Sequence, residues 1–278
     1  MTDLVVKTLG TVSPFCYKNK NCPGFLVKYG DQNILLDCGN GITRLLDLRK
    51  DLDNLTIFIS HLHPDHYGDL VSLLQAIMVY KKHGLFNSNI KLYIPTMDTD
   101  DEYVTIEDKE GWPMDYLQHL PSRDIKLIQK YAEMAEVKIT PYELFKYDYN
   151  VGDISIQTSI ARHPGHGYCF KIQTENGTIA YSGDTGLTDN LNKIAKDADL
   201  FICESTFLKG QYREADNHLY AYEAAQIAKN ANVQKLLLTH FWPYTDKKKY
   251  VEEAKMYFEN TEAAIEGKEI VLRRKNNG

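Results

Sequence analysis

Residues 61–66 read His-Leu-His-Pro-Asp-His, directly after the apolar run 55–60, Leu-Thr-Ile-Phe-Ile-Ser. No other feature restricts the fold so strongly. The apolar run has the length and β-branched content of a buried strand. At its end stand His61, His63, Asp65 and His66. Without a cation, such groups would repel one another when protonated, and any that were buried would need partners. Neutral imidazole and carboxylate are the ligands that borderline divalent metals prefer, zinc above all. The pattern therefore predicts a strand that opens on a metal site.

If extended backbone persists past Ser60, side chains alternate, and His61, His63 and Asp65 face one way. Pro64 then helps turn the chain into a helix, where proline is tolerated in the first turn, and His66 is brought round by that turn. More ligand types recur where apolar runs give way to polar loops: His163 after the run 154–161, Asp184 after the run 178–181, and His240 after Leu-Leu-Leu-Thr. Open α/β sheets place their sites at such strand ends. Strand and helix patterns alternate through both halves of the chain, which by itself predicts a mixed α/β domain.

Taken in order, the His-x-His-x-Asp-His run, His163, Asp184 in a Ser-Gly-Asp-Thr turn and His240 resemble the metallo-β-lactamase superfamily. Within it, they are similar to the ribonuclease Z and arylsulfatase-like branch. The likeness runs from Asp37-Cys38-Gly39 to His240 and implies an α/β fold, the four-layer αββα sandwich, as a single domain over 1–278. It also implies two divalent ions, with zinc expected and manganese or iron as alternatives. His61, His63 and His163 would hold one; Asp65, His66 and His240 the other; Asp184 would bridge them at a separation of about 3.5–4 Å. A metal-bridging hydroxide, formed from water with a pKa lowered to about 7, would be the nucleophile. Asp37 would support the metal loop by hydrogen bonds.

Two further segments carry the resemblance. Residues 198–207, with Glu204-Ser205-Thr206-Phe207, resemble the Glu-Ala-Thr-Phe segment of ribonuclease Z relatives, and Asn217-His218-Leu219-Tyr220-Ala221 resembles their His-Ser-Thr-Ala segment. They imply a proton-handling group of His218, Glu204 and Asp65, with His218 as general acid at a leaving oxygen. Ser205 and Leu219-Tyr220 depart from the family pattern, so substrate contacts need not carry over.

The expected function is hydrolysis of a phosphodiester or related ester, with a small-molecule substrate. Transfer-RNA 3′ processing is the first alternative, and a non-catalytic metal-bearing ligand sensor the second. A formal charge of −6 argues against broad nucleic-acid affinity, which rests on Lys and Arg neutralising phosphates. Ribonuclease Z relatives usually carry a protruding arm between the third histidine and the aspartate, and the interval from His163 to Asp184 is too short for one. Lys247-Lys248-Lys249 and the basic run 273–275 are read as solvated surface and tail.

At 43% hydrophobic and 25% charged residues, the chain has the composition of a soluble globular protein, with no apolar stretch of membrane-spanning length. Its start lacks the basic and long apolar regions of a signal peptide. Five cysteines without a Cys-x-x-Cys pair are read as free thiols in a reducing cytosol, hence a cytoplasmic location, with a Cys16–Cys22 bridge as the minor alternative. The periodicity predicts strands at 4–9, 25–29, 33–36, 55–60, 90–94, 154–161, 168–174, 178–181, 200–203, 235–238 and 269–272. Helices are predicted at 41–50, 68–83, 124–136, 187–196, 219–231 and 247–258. The stretch at about 95–150 is read as an insertion: a lid over the pocket or a homodimer contact. His166 competes with His163 as ligand, the position before Pro164 favouring His163. His83 and His119 belong to no motif.

Overall fold

A computed structural model describes residues 2–86, 88–95, 122–142, 148–164, 167–213 and 216–273. The first half runs β1 (Leu4–Gly10), β2 (Gly24–Tyr29), β3 (Gln32–Leu36), β4 (Leu55–Phe58), α1 (Pro64–Tyr67), α2 (Leu70–Lys82), β5 (Lys91–Ile94), α3 (Ser122–Met134) and β6 (Lys138–Pro141). The second half runs β7 (Asp148–Val151), β8 (Ile154–Ile160), β9 (Tyr168–Thr174), β10 (Gly177–Tyr181), α4 (Asp189–Ala195), β11 (Leu200–Glu204), α5 (Ala221–Asn230), β12 (Leu236–Thr239), α6 (Lys247–Lys255), β13 (Thr261–Ala263) and β14 (Glu269–Leu272). The strands form two seven-stranded mixed sheets, ordered β14-β1-β2-β3-β4-β5-β6 and β13-β12-β11-β10-β9-β8-β7. Each begins as an antiparallel meander and continues as parallel strands joined by crossovers, from β3 to β6 in one and from β10 to β13 in the other.

Alternation along the strands builds the layers. In β3, Ile34 and Leu36 point into the core between the sheets, while Leu35 points out to the helices. In β11, Leu200 and Ile202 point in, and Phe201 and Cys203 point out. Outside the first sheet lies α2, whose Leu70, Leu73, Leu74 and Ile77 recur at the spacing of one helical face. Outside the second lies α5, whose buried Ala224, Ala225 and Ala228 are small enough for close approach to sheet and neighbouring helices. Helix, sheet, sheet and helix stack as the expected four-layer sandwich. Aromatic rings join the sheets near one end: Phe58 stacks on Tyr93 with centroids 4.7 Å apart and meets Phe170 edge-on at 5.9 Å. Truncating such a ring to Ala costs about 3–5 kcal/mol.

Three sequence expectations change. Residues 41–50 form only a 3-10 turn at Thr43–Leu45, with extended backbone at Leu46. Asp47 and Asp51 divert the backbone: Asp51 Oδ2 accepts from Asp47 N at 2.8 Å, and Asp47 Oδ1 from Arg49 N at 3.2 Å. Of the stretch read as an insertion, the described parts are framework: α3 packs on α2 while β6 and β7 are sheet edges. Of its described tyrosines, Tyr142 and Tyr149 lie in the core between the sheets, and Tyr131 packs half-buried on the helix side of the first sheet. Residues 96–121 and 143–147, including Trp112 and His119, fall outside the described residues, and so does the proposed lid. Finally, Lys247 is not solvated: its ammonium donates to Thr11 Oγ1 at 2.7 Å and to the Ala264 carbonyl at 3.0 Å. Among the described residues, no helix is long and apolar enough to cross a membrane.

Candidate metal centre

The candidate ligands stand at the C-terminal ends of β4, β8, β10 and β12, where the two sheets are tied by backbone bonds from Tyr168 N to Ser60 O (3.0 Å) and from Phe241 N to Thr11 O (2.9 Å). Beyond β4 the chain bends at Ser60 and is extended at His63 (φ −83°, ψ 143°), and His61 and His63, two residues apart, both reach the cluster. Pro64 then opens α1. Asp65 therefore does not continue the alternation, as the sequence reading had it; a helical turn carries it, with His66, to the far side of the cluster. His240 ends β12 in the left-handed region, φ 62°. Backbone strain of this kind gathers at functional sites.

Seven side chains converge. His63 Nδ1 lies 2.9 Å from His61 Nε2 and 3.1 Å from His163 Nε2. Asp184 Oδ2 faces this trio, 3.7 Å from His61 Nε2 and 4.0 Å from His163 Nε2. On the other side, Asp184 Oδ1 is 3.2 Å from His66 Nε2, and Oδ2 is 3.0 Å from His240 Nε2. Asp65 Oδ2 lies 3.6 Å from both of those nitrogens. Three overlapping groups present ligand atoms close enough to hold a cation: His61/His63/His163/Asp184, Asp65/His66/His240 and Asp184/His218/His240; the first two together take in all seven expected ligands, and Asp184 reaches both.

Four atoms in this buried cluster have no hydrogen-bond partner: His63 Nε2, His66 Nε2, His240 Nε2 and Asp184 Oδ1. Leaving such groups unsatisfied is expensive, at about 1–3 kcal/mol each. A buried set of imidazole nitrogens and carboxylate oxygens drawn this close together fits divalent cations.

The outer atoms of the ligands are held. Asp37, fully buried at the end of β3, accepts from Ser60 N (2.6 Å), Ser60 Oγ (2.9 Å) and the Tyr181 hydroxyl (2.6 Å), and its Oδ2 is 2.7 Å from His66 Nδ1. Ser60 Oγ is also 3.1 Å from His61 Nδ1, so one carboxylate orients an imidazole on each side. His163 Nδ1 meets the Asn217 carbonyl at 2.9 Å, and His240 Nδ1 meets Thr206 Oγ1 at 2.7 Å. Fixing the outer nitrogen sets which nitrogen is offered inward.

Protonation differs across the cluster. Burial, with His66 beside it, drives His61 well below the usual imidazole range, lowers His63, and takes His163 down to about 3. Burial alone would act likewise on His66 and His240, but nearby carboxylates outweigh it. Asp184 and Asp65 hold His66 well above the usual range and push His240 up to about 10. Against the same burial, His66 and His240 hold Asp65 down to about 2, and His240 and His66 keep Asp184 well below the usual carboxylate range.

Beside the cluster, His218 Nδ1 lies 2.9 Å from Glu204 Oε1. The Glu204 carboxylate is fully buried and also accepts from Thr185 N (2.8 Å), Thr206 Oγ1 (2.8 Å) and Leu219 N (3.1 Å). The expected third member of this group, Asp65, meets the pair only across His240, whose ring stacks on His218 at 5.3 Å. Asp184 is the carboxylate that approaches His218 besides Glu204, at 3.9 Å. His83 is exposed at the end of α2, and His166 lies outside the described residues. Sequence reasoning missed Ser13, whose hydroxyl donates to Asp65 Oδ2 at 2.8 Å, along with Ser60, Tyr181 and Thr206. Thr206 was within reach, being next to the Glu204 segment; no local signal marked Ser13.

The profile of a family described as "Beta-lactamase superfamily domain" matches residues 32–241. Among curated relatives, Ribonuclease Z of Archaeoglobus fulgidus is 28% identical over 292 residues, covering 91% of this chain and 92% of its own length. The Probable metallo-hydrolase YhfI of Bacillus subtilis is 27% identical over 254 residues, covering 91% and 93%. The crystal structure of the Bacillus subtilis metallo-beta-lactamase fold protein YhfI superposes with a TM-score of 0.78 at 24% identity, over 97% of this chain and 99% of that one.

Proposed function

The chain belongs to the beta-lactamase superfamily, and from that premise we propose that it is a binuclear metal-dependent hydrolase of phosphodiesters or related esters. The observation that carries this reading is the pairing of two cation-holding groups with a histidine–glutamate dyad on their flank. Two divalent cations, zinc or else manganese or iron, would supply Lewis-acid polarisation of the ester and acidify a bound water. His61, His63 and His163 would hold one; Asp65, His66 and His240 the other; Asp184 would serve both.

The protein's own residues supply the rest. Glu204 fixes the His218 ring through Nδ1, which leaves Nε2 free to hand a proton to the departing oxygen. Thr206 ties that dyad to His240, so the proton donor and one cation-holding group move as a unit. The neutral state of the His61/His63/His163 group suits it to offer lone pairs directly. The reading is tested by assaying zinc- or manganese-loaded protein on bis(p-nitrophenyl) phosphate. Turnover should need the metal and fall by about 10²–10⁴-fold in His218→Ala. Background rates in the wild type, unchanged by that substitution, would reject it.

A second reading, transfer-RNA 3′ processing, draws on the likeness to Ribonuclease Z from Archaeoglobus fulgidus. Against it, the interval from His163 to Asp184 is taken up by β9, β10 and short connections, which leaves no room for a protruding arm. Cleavage of precursor tRNA, with affinity that falls steeply with salt, would favour this reading over the first.

A further inference from the structure

The loop between β1 and β2 holds a pair of thiols that the metal chemistry does not use. Cys16 Sγ is 3.8 Å from Cys22 Sγ and 2.8 Å from the Asn40 carbonyl oxygen. The two differ in setting: Cys16 is exposed and Cys22 is fully buried. The Cys22 backbone is held, because its N–H donates to Asn40 O at 3.0 Å and it is packed between Gly10 and Gly39, where any Cβ would overlap it. Gly39 in turn lies against the Asp65 backbone. Three residues before Cys16, Ser13 donates to Asp65 Oδ2. The pair therefore sits on the segment that reaches one of the two cation-holding groups.

We propose that Cys16 and Cys22 form a reversible oxidation site, in which a disulfide made by a peroxide draws the Cys16 end of the loop inward and weakens cation retention by Asp65, His66 and His240. The cross-link itself goes beyond the functional reading; its effect on turnover rests on it. Peroxide reaches the exposed Cys16 first. The Cys16 sulfur attacks the O–O bond, giving a sulfenic acid and one water. The Cys22 sulfur then displaces the sulfenic oxygen, which leaves with the thiol proton as a second water, and the S–S bond forms. Each sulfur is oxidised by one electron and the peroxide is reduced by two. Bonding requires the sulfurs to close from 3.8 Å to about 2.05 Å. With the Cys22 backbone held, the Cys16 side makes that movement, leaves Asn40 O, and pulls on the Ser13 contact.

The test uses the metal-loaded protein in its reduced form, treated with stoichiometric hydrogen peroxide, alkylated, digested and mapped by mass. The expected result is a cross-linked peptide pair holding Cys16 and Cys22, lighter by two hydrogens and restored by dithiothreitol. One cation should be held about tenfold more weakly, with turnover falling in step. Cys16→Ser should keep basal turnover and metal content and ignore peroxide. Separate alkylation of Cys16 and Cys22 after peroxide would overturn the proposal, as would equal metal loss in Cys16→Ser. Absence of phosphodiester turnover in reduced wild type would sink the functional reading alone, because cross-link and metal content are measured without substrate.

Discussion

The His61/His63/His163 side and the Asp65/His66/His240 side share one carboxylate, Asp184, yet differ in charge. The first is three imidazoles held neutral by burial, with their inward nitrogens 2.9–3.1 Å apart. The second is two imidazoles held protonated by Asp184 and Asp65. Protons on the second side do part of the work a cation would do, neutralising clustered carboxylates. The difference teaches that two sites built from similar residues need not bind alike: one offers free lone pairs, while the other must first lose protons.

Removing what the sides share should have the largest effect. Asp184→Ala should abolish retention of both cations and lower kcat/KM by roughly 10⁴-fold, read by metal analysis and kinetics. Loss of one cation only would break the picture of a shared ligand. His218→Ala should reduce turnover as stated above while both cations stay bound, placing its role outside either side.

The charge difference is tested by pH. A group whose pKa is raised stays protonated below that value, so a cation on the second side must displace protons from His66 and His240. Its affinity should rise with pH by up to about two log units per unit through the neutral range. On the first side, His163 is neutral above about 3, so affinity there should be nearly flat. Calorimetry in buffers of different ionisation heat would count the protons released at each step; equal counts would erase the distinction. Asp37→Asn keeps a residue suited to φ 59° but removes the carboxylate that orients His66 directly and His61 through Ser60. It should weaken both sides by about 10–100-fold, the second more. Thr206→Val should produce the smallest change in cation affinity, about tenfold or less and on the second side through the lost bond to His240, while the lost bond to Glu204 loosens the dyad.

The layers of the fold were legible because their strands carry the signal locally. Leu55–Phe58 is buried at every position, and Leu70, Leu73, Leu74 and Ile77 recur on one helical face. β6, β7 and β13 were not legible. Lys-Ile-Thr-Pro, Asp-Tyr-Asn-Val and Thr-Glu-Ala are edge strands only because a neighbour supplies the ladder, β5, β8 and β12 respectively. The reverse error at 41–50 has the same origin: apolar spacing favoured a helix, and two aspartates took the backbone hydrogen bonds instead.

Sequence alone picked out the imidazoles and carboxylates that the fold gathers, because they follow apolar runs readable as buried strands. It could not determine which imidazoles are charged. Protonation depends on distances of 3–4 Å between residues more than a hundred positions apart, such as His66 and Asp184 or His240 and Asp65. Only the packing of the two sheets brings those groups into one buried, weakly screened space, where carboxylates can outweigh the penalty of burying a cationic ring.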